Sequence, residues 1–589
     1  MVQLDVNALF RRAETGFQSG RFEAARTDLV TVLRIMGDHP QVLHLLALCE
    51  TNLGRANAAA NAFRRALKLA ANDPQINNNY ANLLNQQGDV AGAFRHFDRA
   101  LVGNPNAVDP RYNRALLRQR QGDWAGARAD LDQLIAAVPG DPRLWEARGT
   151  VNRDGGNLAA AAADYDRALA LAPDRPIALH GAARVALERG DDAAVPAYRR
   201  ALDHSAQDPA LVLGLAEALE AAGQGGGIAL LADQVARNPG WIDGQNSLAR
   251  MRAESGTDGD FAEGFAKAVA LTPADRGLQF AYWRSLALGG RQADALRALD
   301  QARPYLGDYA ELAMLEAVFA SESGDLDRAD AAFARAGAGQ DVDFARGRHA
   351  LRRRDPGLAA RLIEPLVRAD IGMVSAWAHL SLAWRLADDP RHRWLCDQPG
   401  LYGTSDIGFS HTELDMLAAT LRDLHRTRAH PIGQSLRGGT QTRGRLLTRP
   451  DPFLVRLRER LAAAVGAHLD ALPPADPSHP LLRFRGEPFD FAGSWSVRLS
   501  GGGFHVHHVH PEGVLSSACY VALPKLDKGD RPGWLEIGAP PAELGLDLAP
   551  LATIEPIPGR LALFPSYMFH GTRPFDEGER LTVAFDVVM

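Results

Sequence analysis

Glycine recurs in this 589-residue chain at Gly20, Gly54, Gly88, Gly122, Gly156 and Gly190, each step being 34 residues. A fixed period of this length restricts the chain to a stack of like units. Gly290 and Gly324 resume the period, while Gly223 and Gly357 each fall one residue short of it. The flanking text repeats too, as in GDVAGAFRHFDRAL from Gly88, GNLAAAAADYDRAL from Gly156 and GDLDRADAAFARA from Gly324. A helical stretch precedes each glycine and a second follows it. Glycine permits the left-handed conformation that ends the first helix. Ala25, Ala59, Ala93, Ala127 and Ala161, five residues after the glycine, let the two helices approach closely. Pro105, Pro139 and Pro173 stop the second helix. A single hairpin cannot bury its apolar face, so the units are expected to stack. The register is expected to weaken around residues 225–280, where GQGGG and ESGTDGD interrupt it.

The period, glycine, alanine and proline together resemble the tetratricopeptide repeat over roughly residues 6–385, about ten or eleven units. The resemblance implies an all-α superhelix whose concave groove binds a protein or peptide. Asn79 and Asn113, 34 residues apart, fall at a groove-facing position of the family pattern. An amide both donates to and accepts from an extended peptide backbone, so these two are expected to bind substrate. Leu45 and Ala147 hold the same place in the neighbouring repeats.

Such a length exceeds one hydrophobic core, so a multidomain protein is expected. A net charge of −6 and a pI near 6.3 argue against a general nucleic-acid binder. Cys49, Cys396 and Cys519 are far apart, which excludes a cysteine zinc site and a disulfide framework. They suit a reducing compartment, and the expected location is the cytoplasm. The opening MVQLDVNALFRRAETGF has no apolar signal core, and no long apolar run predicts a membrane span. Oligomeric state is not legible.

The alanine-rich texture stops near residue 385. Residues 1–385 are read as the repeats, 386–430 as a connecting segment, and 431–589 as a second domain with flanking helices. From about residue 482 come GSWSVRLS, GVLSSACYVALP, GWLEIGAP, GRLALFPSYMFHGT and RLTVAFDVVM. These are short, apolar or alternating runs bounded by Gly and Pro, as in strands. They predict an antiparallel barrel or jelly roll, with a small-molecule site in its mouth. Ahead of them lies a polar, Gly-rich segment, GQSLRGGTQTRGRLL, with no strand assigned to it.

Between two of these strands stands FHVHHVHP, with His505, His507, His508 and His510. Residues two apart on a strand share a face, so the four form two interleaved pairs, His505 with His507 and His508 with His510. His570 follows His510 by 60 residues, and Arg580 follows His570 by ten.

This spacing resembles the iron(II)- and 2-oxoglutarate-dependent oxygenases, which share a double-stranded β-helix. Closest in texture is a branch of putative oxygenases found behind tetratricopeptide repeats, with His-x-His-Pro ahead of a Ser-rich strand. GGFHVHHVHPEGVLSSACYV fits when His508-Val509-His510-Pro511 is that core. The resemblance implies that His508, His510 and His570 bind Fe(II) as the catalytic centre. It implies that Arg580 and Thr582 bind the far carboxylate of 2-oxoglutarate, with O2 as co-substrate and ascorbate as a reductant. Ser496, Arg498 and Tyr520 are expected to line the pocket, Arg498 and Tyr520 as substrate contacts. One departure stands out: the usual second ligand is a carboxylate, and here His510 takes its place, with Glu512 as the other candidate. His505 and His507 have no assigned role.

The implied activity is a dioxygenase that hydroxylates a protein or peptide recruited by the repeats. The alternatives are a small-metabolite oxygenase with repeats used for assembly, a repeat scaffold with a silent oxygenase-like domain, and a zinc enzyme of the same fold. Deleting residues 1–385 is expected to separate the recruited-peptide enzyme from the metabolite enzyme.

Overall fold

The computed structural model describes residues 5–256, 259–524, 529 and 531–589. The first four residues, and Thr257 and Asp258 of the ESGTDGD interruption, lie outside the description. The chain divides into two compact units, residues 1–185 and 186–589.

Helices run in pairs from Val6 to Ala369, followed by one more helix, Val374–Leu386. The periodic glycines at 20, 54, 88, 122, 156, 190, 223, 290 and 324 all adopt positive φ, between +65° and +89°. Gly357 does not. It lies in the first turn of the helix Pro356–Ala369, and Arg354, at φ +58°, makes the left-handed turn instead. The five alanines that follow the glycines are each no more than 1% exposed, as close helix contact requires. The residue after the glycine has its own task. Asp89, Asp123, Asn157 and Asp325 each accept a hydrogen bond from the backbone N–H three residues on and so cap the second helix. Such a cap contributes about 1 kcal/mol. The second helices end at Gly103, Ala137 and Leu171, each two residues ahead of a proline.

The strands are β1 (Gly403–Asp406), β2 (Leu436–Gln441), β3 (Asp490–His505), β4 (Leu515–Ala522), β5 (Leu535–Ile537), β6 (Ala552–Ile554), β7 (Arg560–Pro565), β8 (His570–Thr572) and β9 (Arg580–Val588). They form a six-stranded sheet, ordered β1-β7-β4-β9-β3-β2, and a three-stranded sheet, β6-β5-β8, with every pairing antiparallel. The second domain is thus the expected double-sheet jelly roll. The polar, Gly-rich segment supplies β2, an edge strand. Its glycines are needed there, because a Cβ on Gly439 would fall 2.4 Å from the Arg498 carbonyl oxygen.

The break expected at residue 385 is a change of element type and not of packing. Ile363, Trp377, Leu380 and Trp384 of the last repeat helices share one core with Leu395, Leu417, Leu457, Cys519, Leu563 and Phe585. Residues 386–430 connect the repeats to the jelly roll and pack onto it. They carry the helices Arg391–Cys396 and His411–Leu424, and β1, which pairs with β7. Their apolar residues Leu395, Leu401, Leu414 and Leu421 belong to the same core.

Candidate metal centre and its cavity

Antiparallel register decides what faces the inside of the jelly roll. Across β3 and β9, Leu499 pairs with Arg580, Val497 with Thr582 and Trp495 with Ala584. Across β4 and β9, Ser516 pairs with Asp586. Alternation therefore sets Arg580, Thr582, Ala584 and Asp586 along one face of β9. Trp495, Val497, Arg580, Thr582 and Ala584 line a small cavity of about 50 Å³ with Phe564 and Leu535.

The three expected histidines meet at this cavity. Ligand-capable atoms of His508, His510 and His570 all lie within 4.8 Å of one another. The backbone joins two of them directly: each of His508 and His570 donates its N–H to the other's carbonyl at 3.0 Å. Each ring is also oriented from behind. His508 Nδ1 donates to the Val506 carbonyl at 2.9 Å, His570 Nδ1 to the Met568 carbonyl at 3.0 Å, and His510 Nδ1 to Asp586 Oδ1 at 2.6 Å. A carbonyl or carboxylate only accepts, so the proton sits on Nδ1 in every ring and the Nε2 lone pairs are left for the cavity. His508 Nε2 and His510 Nε2 stand 2.9 Å apart. Burial first, and then neighbouring imidazoles, hold His508 and His570 well below the usual histidine pKa and so neutral. Lone pairs this close repel unless a cation lies between them. Cis imidazoles on a metal, at the nitrogen distance of about 2.1 Å known for zinc, stand about 3 Å apart. The three rings therefore fit a divalent first-row metal.

Away from the histidines on the same strand face, Arg580 is only 2% exposed, and its Nε and Nη1 are buried without hydrogen-bond partners. Its guanidinium carbon lies 5.2 Å from the ring centroid of Tyr520. A buried guanidinium without an acceptor is costly, and a carboxylate is its natural complement. Arg580 thus fits a carboxylate in the cavity that the three histidines also line. Thr582 adds a hydroxyl on the same wall.

The remaining sequence expectations fall as follows. Arg498 faces away from the cavity and pairs with Glu579, while Ser496 bonds His425 and the Thr582 carbonyl. Alternation gives the inner face of β3 to Trp495 and Val497 instead. Tyr520 is buried beside the Arg580 guanidinium and lies outside the cavity wall. Glu512 is exposed and outside the histidine group. His505 and His507 do not form a pair. β3 ends at His505, whose ring lines the cavity, and the chain bends at His507, whose Nε2 is 3.3 Å from Glu536. Asn79 and Asn113 join a ladder of side-chain hydrogen bonds between successive repeats. Asn79 contacts His44 at 2.8 Å and Asn113 donates to Asn78 at 2.9 Å.

Two partners escape the sequence. Asp586 is the carboxylate that the ligand set lacks, placed behind His510 and not on the metal side. A count of two along β9 from Arg580 reaches it, but only the fold shows that His510 lies across from it. Ser435 Oγ stands 3.1 Å from both His505 Nδ1 and His508 Nε2 and links them. His508 and His510 also line a larger cleft of about 820 Å³, whose far wall includes Gln292, Glu322, Arg348 and His379 from the repeat helices.

Comparison with known proteins bears on both parts of the chain. Residues 493–586 match the sequence model of the family described as "Putative 2OG-Fe(II) oxygenase". Residues 47–108 and 112–176 match that of the tetratricopeptide repeat. No curated protein matches the chain. Similar solved structures include a tetratricopeptide repeat protein from Parabacteroides merdae (16% identity, TM-score 0.34, 41% of this chain and 97% of that one). The pilus biogenesis factor PilW is 20% identical, at TM-score 0.33 over 36% of this chain and 98% of its own. MamA from Desulfovibrio magneticus is 19% identical, at TM-score 0.28 over 29% of this chain and 99% of its own.

Proposed function

From a chain that carries tetratricopeptide repeats and a domain of the 2OG-Fe(II) oxygenase kind, we propose a 2-oxoglutarate- and Fe(II)-dependent dioxygenase that hydroxylates a protein or peptide substrate. The observation that carries this reading is the pairing of two features in one cavity: three converging Nε2 lone pairs and the unpartnered Arg580. Bound iron supplies oxygen activation coupled to decarboxylation of 2-oxoglutarate to succinate and CO2, with the second oxygen atom going to the substrate.

The chain's own residues do the rest. His508, His510 and His570 hold the metal through Nε2. Asp586 keeps the His510 proton on Nδ1 and fixes the ring's orientation, as carboxylates behind metal-bound histidines do. Its carboxylate supplies part of the negative charge missing from an all-imidazole set. Arg580 and the Thr582 hydroxyl bind the C5 carboxylate and so orient the 2-oxo end toward the histidines. Phe564, Leu535, Val497 and Ala584 exclude water along the way. Substrate arrives through the larger cleft. Its repeat-helix wall supports a substrate recruited by the repeats; Asn79 and Asn113 are separate candidate contacts for a peptide within the first unit.

The test is succinate formation from 2-oxoglutarate by the iron-loaded full chain, with cell-extract peptides screened for products heavier by one oxygen. Iron-dependent succinate release, lost in His570→Ala, is expected. A protein that binds zinc but neither iron nor 2-oxoglutarate would instead be a zinc enzyme of the same fold, because three imidazoles also suit that metal.

A further inference from the structure

A second cavity, of about 410 Å³, lies beside the jelly roll in the unit of residues 186–589. Four arginines line it: Arg250, Arg426, Arg443 and Arg449. Two are neutralised. Arg250 pairs with Glu217, and Arg443 pairs with Glu254. Of the other acids on the wall, Glu220 accepts from the Ile228 N–H at 3.2 Å, and Glu188 is also engaged.

The other two arginines have no carboxylate. Arg426 donates only to backbone carbonyls, to Ala221 at 3.2 Å and to Asp423 at 3.4 Å. Arg449 Nε is buried with no hydrogen-bond partner. Burial first, and then the charge of Arg426, push the Arg449 pKa down, as expected of two cations sharing a site without an anion. The Arg449 guanidinium is seated against the turn at Gly190, one of the periodic glycines, where a Cβ would come within 2.2 Å of Nη1. Thr427 adds a buried hydroxyl that has no partner. The unspent buried groups are Arg449 Nε, Arg443 Nε and Nη1 and the Thr427 hydroxyl, each able to donate, and Arg426 adds a guanidinium that no carboxylate pairs. Leu187, Leu424 and Trp495 supply apolar wall between them.

We propose that this cavity is a binding site for an oxyanion, a phosphate or carboxylate group, held by Arg426 and Arg449 with the Thr427 hydroxyl. A ligand with only acceptors satisfies the donors and relieves the repulsion between the two guanidinium groups at once. The site is distinct from Arg580. It touches the catalytic cavity through Trp495 and Gln441, which line both. The Trp495 ring lies 5.5 Å from that of His510. Occupancy is thus placed to be felt at the metal ligands.

The test is thermal unfolding of the full chain with inorganic phosphate or succinate, each against sodium chloride of equal ionic strength. Saturable stabilisation by either probe is expected. Its midpoint concentration should rise at least tenfold in Arg449→Gln and in Arg426→Gln, return in Arg449→Lys, and stay unchanged in Arg580→Gln. Phosphate alone, succinate alone or both identify the oxyanion. No stabilisation by either probe overturns the proposal. So does stabilisation that survives in both arginine variants, or that disappears in Arg580→Gln, which would assign it to the catalytic cavity. Arg426, exposed just past the end of the helix His411–Leu424, serves if Arg449→Gln fails to fold.

Discussion

His510 Nδ1 lies 2.6 Å from Asp586 Oδ1, so the carboxylate bonded to this histidine stands behind the ring and not on its Nε2 side. Ser516 donates to the same oxygen at 3.0 Å and holds it in place. Asp586→Asn is expected to weaken iron binding by about 10–100-fold while leaving the fold intact. Metal titration of the purified variant measures this. Unchanged affinity would show that the Asp586 contact plays no part in setting the His510 ligand.

Arg580 has only 2-oxoglutarate to satisfy it in the proposed reaction. Arg580→Gln should raise the 2-oxoglutarate dissociation constant by about 10–100-fold, the loss of one charge-assisted hydrogen bond of about 1.5–3 kcal/mol. Iron affinity should hardly change, because the guanidinium is not among the grouped metal ligands. Calorimetric titration of iron-loaded protein under anaerobic conditions distinguishes the two effects.

Removing residues 1–385 does not isolate the jelly roll. Trp377, Leu380 and Trp384 are buried in its core, and Arg385 donates to the carbonyls of Gly538 and Ala549. A fragment of residues 386–589 is expected to be molten, with dye binding and rapid proteolysis. A fragment that starts at Pro176 keeps these contacts and should fold and bind metal. Substrate recruitment is then tested by the loss of residues 1–175 alone.

Acid should destabilise the second unit through His479. Its Nε2 donates to the Leu395 carbonyl at 3.2 Å, and its Nδ1 accepts from the backbone N–H groups of Leu481 and Leu482 at 3.1 Å each. A protonated Nδ1 cannot accept, and burial lowers the pKa to about 4. The unfolded chain takes up a proton near pH 6.5 that the folded chain refuses. Stability from this group is thus full above about pH 6.5 and falls as the pH drops toward about 4, by about 3 kcal/mol. Denaturant unfolding between pH 7 and 4.5 should show a shallower slope in His479→Gln.

The repeats were legible because they are local. Each glycine, capping Asp and buried alanine acts within its own hairpin, so a 34-residue period prints the fold directly. Where the local signal shifted, at Gly357, the turn moved to Arg354 and the period misled. The strands with alternating apolar residues were equally readable. The edge strand β2 was not, because an edge rich in glycine and polar side chains has the composition of a loop.

The histidine site divides in the same way. Spacing and the resemblance it carries singled out His508, His510, His570, Arg580 and Thr582, since these depend on strand alternation and order along the chain. Three things depend on register between distant strands and on where a strand stops. They are the partnership of His510 with Asp586, the outward turn of Arg498, and the separation of His505 from His507 by a bend. The sequence by itself determined the repeating hairpins, the strands and the ligand candidates, because each is set by residues within a few positions of one another. Only the tertiary structure decided what stands behind each ligand and that the last repeats share a core with the jelly roll. Those facts are contacts between segments far apart in the chain, which burial and antiparallel register bring together.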